Sequence, residues 1–190
     1  MPESASQSPE EGGRAATWLL LVYRIPSEPT RLRATVWRRL KALGAVYLQN
    51  SAATLPKSAA AERALRKLQR EILQMSGTAV LLESSVLAGE QGILSIFQSA
   101  RTDEYEEIMD RCEGFLAEVE KEYAKNHFTY AELEENEVDY NKLASWLEKV
   151  KSRDEFGAPG RAEAEAALAR CERSLEEYAT RVYSEESEGN

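Results

Sequence analysis

The chain has 190 residues, 43% hydrophobic and 30% charged, with a net charge of −9, two cysteines and a single histidine. Its length suits one full domain, or a smaller one with an appendage. The longest unbroken apolar run, Trp18 to Tyr23, is far below the roughly 20 residues that a bilayer crossing requires, which excludes a membrane span and makes the cytoplasm the expected location.

Residues 1–16, MPESASQSPEEGGRAA, contain no bulky apolar side chain. Such a segment cannot offset the entropy of ordering, so a disordered tail is expected there. The run WLLLVYRI, residues 18–25, has the length of a buried strand and stops at Pro26. Ser27, Glu28 and Pro29 read as a helix start, with Pro29 in the first turn, where its missing N–H costs nothing. Leu32, Val36, Leu40 and Leu43 then recur at helical spacing until Gly44, which is expected to cap the helix in a left-handed conformation. AVYLQ and AATLP form two strands around a tight Asn50-Ser51 turn. Ala61, Leu65, Leu68 and Ile72 mark a second helix over residues 59–75, with Gly77 as its stop. TAVLLESSVL, residues 78–87, reads as another central strand.

The order β-α-β-β-α-β is that of the split βαβ, or ferredoxin-like, arrangement, with both helices on one face of an antiparallel sheet. GILSIFQSAR is expected to form a short helix that closes a domain over residues 17–101. Residues 102–183 read as three amphipathic helices. The first carries Tyr105, Ile108, Cys112, Phe115, Val119 and Tyr123; the second Val138, Leu143, Trp146, Leu147 and Val150; the third Ala164, Leu168, Cys171, Leu175, Tyr178 and Val182. Asn126-His127 and the 157–160 cluster mark the turns between them, and residues 184–190 read as a second disordered tail. The fold class is therefore α+β. Whether the three helices form a bundle or cover the open sheet face stays open at this level. Cys112 and Cys171 are expected to be reduced core thiols.

Charge divides the chain into two bodies. Residues 1–101 carry +5 and residues 102–190 carry −14, a split that suggests an anion-binding part and an acidic part. The cations concentrate on the two N-terminal helices. Arg63, Arg66, Lys67 and Arg70 fall at i, i+3, i+4 and i+7, one stripe opposite the Leu65, Leu68, Ile72 face. Arg31, Arg33, Arg38, Arg39 and Lys41 crowd the first helix together with Trp37. A solvated helix face explains a lone basic helix and stays open for two neighbouring ones, beside phosphate contact with nucleic acid through counterion release and docking of the acidic helices onto the basic face.

Catalytic signatures are lacking. One histidine, His127, supplies neither a zinc site nor a triad and reads as a helix-end or surface group. The acidic cluster Glu132, Glu134, Glu135, Glu137 and Asp139 has no EF-hand glycine and reads as a solvated connection. No enzymatic activity, metal or cofactor is expected.

The string Arg31-x-Arg33, followed by Trp37-Arg38-x-Leu40-Lys41-x-Leu43-Gly44-Ala45 and Leu55-Pro56, resembles the N-terminal domain of the chromate-resistance regulator ChrB. It is also similar to the central domain of the PaaX repressors. The segment FQSARTDEY, residues 97–105, and the helices after it fit the ChrB pattern, so the likeness runs from about Thr17 to Tyr183. The resemblance implies a cytoplasmic regulator of a chromate-efflux operon, with a core related to small ferredoxin-like CRISPR-associated nucleases. Those nucleases carry a metal-binding aspartate at the end of their first strand. Here that end reads Tyr23-Arg24-Ile25, which argues against cleavage. PaaX repressors have a winged-helix domain ahead of the shared core, for which the sixteen-residue leading segment is too short. Full-length ChrB continues into a second domain, whereas this sequence stops at Asn190.

The expected function is a DNA-binding transcriptional regulator of the ChrB N-terminal type, linked to chromate resistance. The nine cations Arg31, Arg33, Arg38, Arg39, Lys41, Arg63, Arg66, Lys67 and Arg70 would contact phosphates of operator DNA. The alternative is a protein-interaction module without DNA binding of its own, working with a separate ChrB-like C-terminal protein or forming a homodimer through its acidic helices. A third idea has the arginines holding an oxyanion such as chromate.

Overall fold

A computed structural model describes residues 17–188; the expected tail over residues 1–16 lies outside them. The chain is α+β, with four antiparallel strands and five helices in the order β1 (Thr17–Arg24), α1 (Arg31–Leu43), β2 (Val46–Gln49), β3 (Ala52–Pro56), α2 (Ala59–Gln74), β4 (Thr78–Ser85), α3 (Glu90–Ala124), α4 (Tyr130–Lys151) and α5 (Arg161–Glu188). It divides into two compact units between Glu90 and Gln91.

In the first unit the strands lie in the order β2-β3-β1-β4. The apolar run of β1 takes an inner place, pairing Leu19 with Leu55 and Leu21 with Ala53 on one side, and Tyr23 with Ala79 on the other. The period of two puts these residues on one face, where Leu19, Leu21, Ala53, Leu55 and Ala79 are buried. The buried stripes Val36–Leu40 of α1 and Leu65–Leu68–Ile72 of α2 supply its cover. Each such large side chain contributes about 1.5–3 kcal/mol on burial. On the opposite face Val22, Val80 and Leu82 stay exposed. Strand β4 is an edge strand; the expectation of a central one fails because β4 pairs with β1 alone.

Two helix boundaries differ from expectation. Helix α1 starts at Arg31, with Thr30 at the cap position and no side-chain cap; the Leu32 N–H reaches back to the Pro29 carbonyl at 3.0 Å, an i→i−3 turn that postpones the regular helix by about half a turn. Helix α2 begins at a true cap, the Ser58 hydroxyl accepting from the Ala61 N–H. At its end the left-handed residue is Ser76, at φ 59°, and not Gly77. Gly77 is required for a different reason: a Cβ there would lie 2.5 Å from the Arg24 carbonyl oxygen and 2.8 Å from Ile72 Cγ2. Gly44 does cap α1 at φ 81°, its N–H donating to the carbonyls of Leu40 and Lys41.

The second unit is a three-helix assembly around one core, with Ile108, Cys112, Phe115 and Val119 of α3, Leu133, Leu147 and Val150 of α4, and Ala164, Cys171, Tyr178 and Val182 of α5. Val138, expected in the core, is exposed. The short closing helix expected at residues 92–101 is instead part of α3, 35 residues long, so residue 101 falls inside a continuous helix. Nothing breaks it there: FQSARTDEY holds neither proline nor glycine. Residues 184–188, expected as tail, continue α5. Asn126 at φ 52°, Gly157 at φ 63° and Gly160 at φ 92° sit in the turns. Both cysteines are free and buried. A charged network pins α3 to the α4–α5 turn: Arg101 Nε lies 2.9 Å from Glu104 Oε2, and Arg153 Nη2 donates to Glu104 Oε1 at 2.9 Å. Beside it the Tyr105 hydroxyl donates to Asp154 Oδ2 at 3.0 Å.

Candidate nucleic-acid interface

Helices α1 and α2 run next to each other, bridged by an ion pair and hydrogen bond from Arg39 Nη1 to Glu71 Oε2. All nine cations singled out in the sequence are exposed to solvent. Their partners differ. Arg39 is held by Glu71, and Arg66 donates to Glu62 at 2.8 Å within α2. Arg31, Arg33, Arg38, Lys41, Arg63, Lys67 and Arg70 form no ion pair among the described residues. The helical period that turns Leu65, Leu68 and Ile72 inward forces Arg63, Arg66, Lys67 and Arg70 outward. Uncompensated guanidinium and ammonium groups facing water are the arrangement that exchanges counterions for phosphates at little desolvation cost.

On α1 the cations alternate with an aromatic. Arg33, Trp37 and Lys41 are spaced four residues apart and so share one stripe. The Lys41 ammonium lies 5.6 Å from the Trp37 ring centroid, a cation–π contact. Trp37 is 50% exposed, unusual for the largest apolar side chain. One end of this stripe forms the wall of a pocket of about 500 Å³. Its other walls are Tyr23 and Arg24 at the end of β1, Tyr47 on β2, and Asn50 and Ser51 at the hairpin tip. The Tyr23 N–H donates to the Ser51 carbonyl at 2.9 Å, holding the tip against the end of β1. Burial, and then the hydrogen bond with Tyr23, pushes the Tyr47 phenol above its ordinary range, so it stays neutral.

Sequence reasoning picked out Arg33 and noted Trp37, but not Tyr23, Arg24, Tyr47, Asn50 or Ser51 as one cluster. The sole hint was the Arg24 that stands where a metal-binding aspartate was looked for. The convergence itself depends on how the β2–β3 hairpin folds back, which no local spacing records.

In the second unit the donor atoms of Glu122, His127 and Glu132 lie within 4.8 Å of one another. The Glu122 carboxylate accepts from Lys125 Nζ and shares a proton with His127 Nδ1, each at 2.8 Å. Lys125 and then His127 hold this carboxyl below its usual range. The group thus forms an ion-paired helix turn whose carboxylate is already neutralised. His127 stands at this helix end, and its carbonyl accepts from the Tyr178 hydroxyl at 2.5 Å. No helix among the described residues is long and apolar enough to cross a membrane.

Compared with known proteins, the chain matches the family model described as "Protein ChrB, N-terminal" over residues 33–189. No curated protein and no solved structure matches it.

Proposed function

From the premise that the chain belongs to the ChrB N-terminal family, we propose that it is a DNA-binding transcriptional regulator linked to chromate resistance, acting in the cytoplasm and without enzymatic activity. The observation that carries this reading is the pair of adjacent basic helices on which seven of the nine cations have no ion pair among the described residues. The strand order β2-β3-β1-β4 and the β-α-β-β-α-β connectivity support a ferredoxin-like core presenting both helices on one side of the sheet. A binding role suits the end of β1, where Arg24 would repel the divalent cation that a related nuclease needs.

The protein is titrated with duplex DNA from its own upstream region at several salt concentrations. Binding falls steeply with salt, by a slope of roughly 0.9 per phosphate contacted. The Arg63→Glu/Arg70→Glu double variant lowers both affinity and slope. Affinity untouched by that double reversal places DNA elsewhere.

A second reading is favoured by the exposed Val22, Val80 and Leu82 on the open sheet face: a protein-interaction module working with a separate ChrB-like effector domain. A tight hetero-complex in light scattering, together with no DNA affinity, selects it.

A further inference from the structure

We propose that the pocket between α1 and the end of β1 takes a single unpaired nucleotide, its base stacked on Trp37 and its phosphate held by Arg24 and Arg33. The proposal rests on the nucleic-acid reading above and deepens it: phosphates of a duplex meet the outer cations of both helices, while one base turned out of the stack enters this pocket.

Three features converge on that ligand. A half-exposed indole on a cationic stripe is a stacking platform, and stacking tolerates any base because every base has a π-face. Arg24 and Arg33 form no ion pair among the described residues and line the same cavity, so an anionic group entering it finds two guanidinium forks without displacing a carboxylate. The far wall carries hydrogen-bonding groups of both kinds. The Tyr23 and Tyr47 hydroxyls, 2.9 Å apart, share one proton between them and leave the other free to donate. Asn50 at the hairpin tip adds an amide that both donates and accepts. At about 500 Å³ the pocket is in the range of small-ligand sites. A base pair inside a duplex cannot enter it, because the base must first leave its stack.

The test uses the full chain and three kinds of probe: nucleoside monophosphates, a single-stranded oligonucleotide, and a duplex with or without one unpaired base. Binding of monophosphates is read by tryptophan quenching, in wild type and in Trp37→Leu. Trp18 is sealed and Trp146 lies in the other unit, so quenching that disappears in the variant reports Trp37. Monophosphates are expected to outcompete inorganic phosphate. The duplex with an unpaired base should bind about ten-fold tighter than the fully paired one, the equivalent of one stacked base. Trp37→Leu or Arg24→Ala removes that preference and leaves fully paired duplex affinity unchanged. Arg63→Glu/Arg70→Glu does the reverse, lowering duplex affinity while monophosphate quenching persists. Equal competition by inorganic phosphate and monophosphates, or an unpaired-base preference that survives Trp37→Leu, overturns the pocket assignment with the basic-face reading intact. Quenching by monophosphates without duplex affinity overturns the basic-face reading alone. Failure of every probe to bind overturns both.

Discussion

The phenolic oxygens of Tyr23, on β1, and Tyr47, on β2, lie 2.9 Å apart across an intervening strand. One proton bridges them, and burial together with this bond favours the protonated form of Tyr47. A folded-state pKa raised above the ordinary phenol value of about 10 gives stability that is fully present below about pH 10 and is lost as pH climbs past it, because the unfolded chain ionises first. Denaturant midpoints measured from pH 8 to 11 should therefore decline in wild type, and the decline should be shallower in Tyr47→Phe. At pH 8 that variant should lose no more than about 1 kcal/mol, the worth of one partly solvated hydrogen bond. An unchanged alkaline slope would contradict the assignment.

Tyr105 does the same in the helical unit by a different route. Its side chain is fully buried and its hydroxyl donates to Asp154, with burial first and that carboxylate second pushing its pKa up to about 12. Tyr105→Phe should destabilise the helical unit by about 1–3 kcal/mol at neutral pH, as expected for a hydrogen bond to a charged group. Asp154 keeps the Ala158 N–H as a donor, which limits the damage. Trp146 fluorescence during urea unfolding, in a Trp18→Phe/Trp37→Phe background, reads this unit; the midpoint falls between pH 10 and 12 with Tyr105 present, and that fall is reduced in the variant.

Glu62 and Glu71 each occupy a cation of the basic face, and under the proposed nucleic-acid reading they compete with phosphate for it. Glu62→Gln/Glu71→Gln releases Arg66 and Arg39. Because these are exposed pairs, the cost in stability should stay within about 1 kcal/mol. Duplex affinity at low salt should rise several-fold, with the salt slope steeper by up to about two phosphate contacts. A drop in affinity would show that the two carboxylates position their arginines rather than mask them.

Gly77→Ala should be costly although its backbone is ordinary. The new methyl would press on the Arg24 carbonyl and on Ile72, a fully buried side chain with no room to yield. Overpacking of this kind costs about 1–3 kcal/mol. Since the strained carbonyl belongs to Arg24, monophosphate binding should weaken along with stability. A variant as stable as wild type by thermal unfolding would show that β1 and α2 can part there freely.

Periodicity made the helices legible: Val36 and Leu40, or Leu65, Leu68 and Ile72, are buried where the spacing puts them, and the cations between them face water. Family membership was legible in the Trp37–Ala45 segment, which lies within residues 33–189. What the sequence concealed is tertiary. The edge position of β4 depends on pairing choices that an apolar strand leaves undecided: β4 pairs with β1 alone. The extent of α3 was hidden because a change in composition near residue 101 looks like a boundary, whereas a helix ends only where a residue or a cap breaks it. The Tyr23–Tyr47–Trp37 pocket draws on three elements, and no window of neighbouring residues contains it.

The chain has two cysteines, both in the helical unit, both free and fully enclosed. The Cys171 thiol donates to the Cys112 carbonyl at 3.5 Å, and neither sulfur reaches solvent. Alkylating reagents can therefore reach sulfur only when the three helices separate, so labelling rates become a stopwatch for the opening of that unit alone. The sheet-bearing unit holds no cysteine and is silent to such reagents.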